Sequence, residues 1–218
     1  MVETPTGPAR VSVVAPPGRP VGTLALGHGA GGGIEAVDLV AVSGAAVEAG
    51  WRVLLVEQPW RVAGRRVAAA PPRLDVAWTA CLGAVLDEPE RRGRGRHAGH
   101  GRPGMPLVLG GRSAGARVAC RTASELGADG VLALAFPLHP PGRPERSRAA
   151  ELTEARDRVG AGVLVVQGRR DAFGTPQEVL AAVPGVQVDA VDGDHSLKAD
   201  PDAVARAAAR WLATLVRS

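Results

Sequence analysis

The sequence predicts an α/β protein: a mostly parallel central sheet with helices on both faces and no large lid. Three observations predict it. Short apolar runs alternate with longer helix-like segments along the chain. Several runs are continuous Val/Leu/Ala stretches, as expected for parallel strands buried on both sides. The 218 residues, nearly half of them apolar, suit one domain, 1–218, with a sizeable core.

Strands are expected at 11–15, 22–26, 52–57, 107–110, 131–136, 162–167 and 186–191, and helices at 34–49, 74–86, 114–126, 175–182 and 200–216. The first two strands carry Val-Ser-Val-Val-Ala and Gly-Thr-Leu-Ala-Leu, and the third ends on Glu57. The fourth, Leu-Val-Leu-Gly, runs straight into the helix that opens at Ala114. Pro176 after Thr175 is an N-cap followed by proline at the first helical position, and Asp200-Pro201 repeats that signal before the last helix. That helix places Val204, Ala208, Trp211 and Leu212 three and four apart, one apolar stripe. Two stretches do not read as regular structure. Residues 88–106, rich in Arg, Gly and His, read as a solvated loop, and 137–148, with four prolines, as an ordered one.

Composition narrows the function classes. The net charge is +4, but Lys198 is the only lysine, and the arginine comes with Ala, Gly, Val and Pro. That pattern points to a compositional bias rather than a nucleic-acid face, and with few aromatic residues and no Tyr, stacking platforms are scarce. No apolar run approaches the roughly 20 residues that cross a membrane. The first residues, Met1-Val-Glu-Thr-Pro, show no basic region followed by a hydrophobic stretch, so a cytoplasmic protein is expected. Cys81 and Cys120 read as buried free thiols. His97 and His100 have no acidic or cysteine partner nearby in sequence, so no metal is expected.

Gly111-Arg112-Ser113-Ala114-Gly115 fits the nucleophile elbow, G-x-S-x-G, between a strand and a helix. Such a junction forces the serine into a strained conformation and presents its hydroxyl at the strand's C-terminal end. There the amides of a helix N-terminus favour negative charge. Gly27-His28-Gly29-Ala30-Gly31-Gly32-Gly33 follows the second strand. Its small residues would let backbone N–H groups approach an oxyanion, a contribution of a few kcal/mol per donor. The amides of Ala114 and Ala30 are the candidate donors, with Gly31 as the neighbouring candidate.

A serine at neutral pH needs an imidazole to take its proton. The histidines outside the 88–106 loop are His28, His139 and His195. His195 follows the last strand and precedes the last helix, the position of the base in the order Ser…Asp/Glu…His. His28 more naturally braces its loop. Asp171 follows the sixth strand and is the candidate acid that orients the imidazole. Asp192 and Asp194 are alternatives, but they share a loop with His195. Ser113, Asp171 and His195 each end a different strand, the edge where open α/β sheets bind ligands. Arg112 and Arg117 could pair with a substrate carboxylate or stiffen the elbow. His139 could brace the proline-rich loop or line a cleft, and Phe173 could pack beneath Asp171 or wall the cleft.

On these residues the chain resembles the α/β-hydrolases of the dienelactone-hydrolase-like group. More narrowly, it is similar to the branch holding a subunit of the NSL histone acetyltransferase complex and small bacterial relatives. The resemblance rests on Gly110-Gly-Arg-Ser-Ala-Gly-Ala-Arg117, Phe136-Pro-Leu-His-Pro-Pro-Gly-Arg-Pro-Glu145, Gln167-Gly-Arg-Arg-Asp-Ala-Phe-Gly174 and Asp194-His195, and runs from about Val21 to the end. Ala116 stands where it leads one to expect glycine, and Glu151 where it leads one to expect histidine. Dienelactone hydrolases proper use cysteine where this chain has Ser113, so their substrate is not implied.

The expected activity is therefore hydrolysis of an ester, thioester or related acyl bond in a small-molecule substrate. It would need no cofactor, metal, nucleic acid or membrane, and the sequence does not bear on oligomeric state. Two other classes compete. One is a non-catalytic interaction protein on a hydrolase scaffold. The other is a nucleotide-binding domain, since Gly27-x-Gly29-x-x-Gly32 follows a strand and Glu57 ends the next one.

Overall fold

A computed structural model describes residues 1–86, 105–159 and 162–216. Seven strands form one sheet: β1 (Arg10–Val14), β2 (Gly22–Gly27), β3 (Trp51–Glu57), β4 (Leu107–Arg112), β5 (Gly130–Leu134), β6 (Val163–Gly168) and β7 (Gln187–Val191). Their spatial order is β1-β3-β2-β4-β5-β6-β7. Only β1 runs antiparallel, at the edge, pairing Arg10 with Glu57 and Val14 with Val53. All other neighbours are parallel.

Every residue of β2, β5 and β6 is buried, which is why these strands read as unbroken apolar runs. Successive side chains point to opposite faces. Val131, Ala133, Val163 and Val165 therefore join one core, while Leu132, Leu134, Leu164 and Val166 join the other. The second core is closed by α1 (Val37–Glu48) and α7 (Pro201–Leu215), through Leu39, Val42 and Ala46 against Val204, Ala208, Trp211 and Leu212. The first is covered by α3 (Pro71–Val85), α4 (Ala114–Thr122), α5 (Ala149–Arg158) and α6 (Pro176–Ala182). A short α2 (Pro59–Val62) follows β3.

The predicted elements are present with ends shifted by up to four residues. The two cap signals form. Thr175 and Glu178 make a reciprocal capping box at α6, and the Asp200 carboxylate accepts from the Ala203 amide at α7. Helix α5 is a correction, because no helix was expected after the proline-rich loop. Its apolar stripe is thin, with only Leu152 and Ala155 buried, so the periodic signal is weak. Cys81 and Cys120 are buried free thiols, and burial pushes them up to about 11 and about 12. His97, His100 and most of the 88–106 loop lie outside the described residues. Among the described residues, no helix is long and apolar enough to cross a membrane.

Candidate active site

The elbow forms where β4 passes into α4. Ser113 has φ 53° and ψ −108°, a conformation L-residues rarely adopt. Its amide donates to Leu134 O of β5 at 2.9 Å, and its carbonyl accepts from Arg117 N at 3.2 Å. The turn is held from the sheet side and the helix side at once. The flanking glycines are required by close approach. A Cβ on Gly111 would lie 2.4 Å from Gly27 O, and one on Gly115 would lie 2.3 Å from the same atom. Any side chain at either position would push the elbow off β2.

Ser113, Asp171 and His195 meet above the C-terminal edge of the sheet. His195 Nε2 lies 2.8 Å from Ser113 Oγ, and His195 Nδ1 lies 2.8 Å from Asp171 Oδ2. The tautomer that donates from Nδ1 to Asp171 leaves Nε2 to accept the serine hydroxyl. The loops after β6 and β7 are laced together by backbone hydrogen bonds. Arg169 N donates to Val191 O and Arg170 N to Gly193 O, each at 2.9 Å. This lacing brings Asp171 and His195 to one place although 24 positions separate them.

Asp171 is almost fully buried, and each of its oxygens accepts a bond. Oδ1 takes the Phe173 amide at 2.8 Å, while Oδ2 takes His195 and, at 2.9 Å, Gln167 Nε2. A buried carboxylate needs such partners. Gln167 also reaches Gly174 O at 2.7 Å and Phe136 O at 3.2 Å, tying the acid's loop to the loop after β5. The half-buried Phe173 ring stacks on the His195 imidazole, with centroids 4.1 Å apart and planes 28° apart. Asp192 and Asp194 face elsewhere: Asp192 pairs with Arg170, and Asp194 accepts from the amide and hydroxyl of Ser196. The Ser196 bonds hold the Asp194 carboxyl below the usual carboxylate range.

The glycine loop after β2 lies against the elbow, with a Cβ on Gly29 falling 3.5 Å from Ser113 Cβ. The Ala30 amide has no backbone acceptor among the described residues, and the Ala114 amide belongs to the first helical turn, which has no intrahelical acceptor. Gly31 is exposed beside Ala30. His28 is buried and committed to the loop. Its Nδ1 donates to Gly29 O at 2.9 Å, and its Nε2 accepts from Gln58 N at 3.1 Å. Burial lowers its pKa below the ordinary histidine value.

Arg112 is engaged inside the molecule. Its Nη2 donates to His195 O at 3.2 Å, and its Nε lies 3.2 Å from the carboxylate of Asp38 in the first turn of α1. Burial raises the Asp38 pKa, against the opposing pull of Arg112. Arg117 is a bidentate partner of Glu151, which also pairs with Arg121, and Arg121 continues to Asp75. Glu151, unexpected at its position, is thus the link between α4 and α5. His139 is buried; its Nδ1 donates to Pro140 O at 3.0 Å and its amide to Phe173 O at 3.0 Å, so it braces the proline-rich loop against the Asp171 loop.

Sequence reasoning missed Gln167 and Asp38. Gln167 had a legible signal, a polar residue near the end of an apolar buried strand. Asp38 had none, since an acidic residue in a first helical turn is ordinary. Among the described residues, no group of three His, Cys, Asp or Glu side chains could hold a metal ion.

The family of α/β-hydrolase domains matches residues 20–213 of this chain. No curated protein matches it significantly, so the narrower likeness to the NSL-complex branch stays an expectation. Among solved structures, an α/β serine hydrolase homologue from Coxiella burnetii superposes with a TM-score of 0.73 at 18% identity, covering 96% of this chain and 94% of that one. A serine hydrolase without a lid from Xanthomonas campestris gives 0.70 at 20% identity, covering 100% and 94%. Dienelactone hydrolase from Anabaena variabilis gives 0.69 at 16% identity, covering 94% and 91%. With its parallel sheet, its strained serine at a strand-to-helix turn and a family match over nearly its whole length, the chain belongs to the α/β-hydrolase family.

Proposed function

We propose that this protein is a serine hydrolase that cleaves an ester, thioester or related acyl bond of a small molecule through an acyl-enzyme. The observation that carries the reading is the His195 imidazole bridging Ser113 Oγ and the buried Asp171 carboxylate, 2.8 Å from each. Ser113 attacks the substrate carbonyl while its proton passes to His195 Nε2. Asp171 holds the Nδ1–H tautomer and stabilises the imidazolium that forms. The amides of Ala114 and Ala30 donate to the oxyanion of the tetrahedral intermediate. Collapse breaks the bond to the leaving group, which takes the proton from His195. Water then attacks the acyl-Ser113 ester, giving its proton to His195, and the acid departs as Ser113 regains its hydrogen.

The nucleotide-binding reading has less support. Glu57 is paired with Arg10 at 2.9 Å, and the glycine loop packs on the serine elbow. A fluorophosphonate probe tests the hydrolase. The native protein is expected to be labelled, and Ser113→Ala is expected to lose both labelling and p-nitrophenyl acetate hydrolysis, the latter by at least about 1,000-fold. A native protein that takes no label would instead be a scaffold that binds without turnover.

A further inference from the structure

Arg112 ends β4, directly before Ser113, and its guanidinium meets three separate segments. Nη2 donates to the His195 carbonyl at 3.2 Å. Nη1 lies against the glycine loop, where a Cβ on Gly29 would fall 3.2 Å from it and one on Gly32 3.9 Å. Nε faces the Asp38 carboxylate of α1 at 3.2 Å. The Arg112 side chain is 13% exposed and that of Asp38 1%, which leaves little of the guanidinium for a substrate carboxylate. Among the described residues, the His195 carbonyl accepts from Arg112 alone, and Asp38 makes no other ion pair. The backbone bonds that lace the His195 loop to the Asp171 loop stop at Gly193, two residues short of the histidine. A buried carboxylate is costly without a counter-charge, so Asp38 fixes where the guanidinium sits. The guanidinium is planar, with its donors in a rigid fork, so the segments around it are held at set distances.

We propose that Arg112, anchored by Asp38, is a positioning residue that holds the His195 loop and the glycine loop in register over Ser113. The inference rests on the serine-hydrolase reading above. In that reaction the imidazole must reach Ser113 Oγ while the Ala30 amide faces the oxyanion. Those two duties sit on loops that no backbone hydrogen bond joins among the described residues. The Arg112 guanidinium lies against both, and it acts through them rather than on the substrate. Geometry of this kind is demanding, since a misplacement of about 1 Å can cost on the order of 100-fold in rate.

The test compares wild type with Arg112→Met, Arg112→Lys and the double variant Arg112→Met/Asp38→Asn, each as the intact protein. The readouts are melting temperature, the rate of fluorophosphonate labelling, and kcat and KM for p-nitrophenyl acetate. Arg112→Met leaves the Asp38 carboxylate buried and unpaired, and is expected to melt lower. The double variant removes that charge and is expected to recover most of the loss. Both are expected to label and turn over about 10–100-fold more slowly than wild type, with KM within about threefold. Arg112→Lys keeps a charge for Asp38 but not the fork. It is expected to melt near wild type and still label about 10-fold more slowly. A double variant whose rates return with its melting temperature, or a folded Arg112→Lys that labels at the wild-type rate, would overturn the positioning role. Either result would leave the hydrolase reading standing. A wild type that neither labels nor hydrolyses would overturn both.

Discussion

At the scale of single residues, the site depends on side chains held in one state by paired donors and acceptors. His28 is the clearest case. Its two ring nitrogens are satisfied only when the imidazole is neutral, with Nδ1–H facing Gly29 O and Nε2 facing the Gln58 amide. Burial lowers its pKa below the ordinary histidine value of about 6.5, so the unfolded chain takes up a proton at a higher pH than the folded one does. The stability it contributes is therefore fully present above about 6.5. It is lost as pH falls toward and through the depressed folded value. Melting temperatures of wild type and His28→Asn, compared from pH 7.5 downward, are expected to show a steeper acid decline for wild type below about 6.5. Parallel declines would mean that the folded and unfolded chains protonate His28 alike, and would overturn its role in acid stability.

At the scale of elements, helix α4, which follows Ser113, is clasped from two sides. Glu151 of α5 pairs with Arg117 and Arg121 of α4, and Arg121 reaches Asp75 of α3. These side chains keep roughly a fifth of their surface exposed, so solvent screens the pairs in part. Removing Glu151 leaves the half-buried Arg117 without its carboxylate, while Arg121 keeps Asp75, and hydrogen bonds to charged groups contribute about 1.5–3 kcal/mol. Glu151→Ala is expected to lower the melting temperature by roughly 3–10 °C, with Glu151→Gln intermediate. Because the clasp lies behind the elbow, the remaining folded protein should still be labelled at Ser113. The melting shift and the labelled fraction, measured together, separate loss of the clasp from damage to the site.

At the scale of the whole molecule, two cores on opposite faces of the sheet hold the edge that carries Ser113, Asp171 and His195 in shape. Helix α7 closes one of them through Val204, Ala208, Trp211 and Leu212. The Trp211 ring lies over Gly130, where an added Cβ would come within 2.9 Å of it. Its loss would open a cavity beneath β5, the strand that anchors Ser113 N through Leu134 O. Trp211→Ala is expected to cost about 3–5 kcal/mol, a large share of the roughly 5–15 kcal/mol of a typical domain. The corresponding fall in melting temperature is roughly 6–20 °C. A shift of only a degree or two by calorimetry would show that α7 repacks without its tryptophan.

Much of the architecture was legible because burial on both faces leaves unbroken apolar runs, as in Leu24 to Leu26 and Val163 to Val166, and because Thr175-Pro176 and Asp200-Pro201 cap helices by local chemistry alone. The order Ser113, Asp171, His195, each at a strand end, was also readable along the chain. Pairings that join distant segments carry no local signature, and the fold alone decided them. Gln167 beneath Asp171, Asp38 behind Arg112 and Glu151 between two arginines depend on which loops and helices pack together. A side chain's partner across space is set by the path of the whole backbone, whereas its helix, strand or cap is set by its nearest neighbours in sequence.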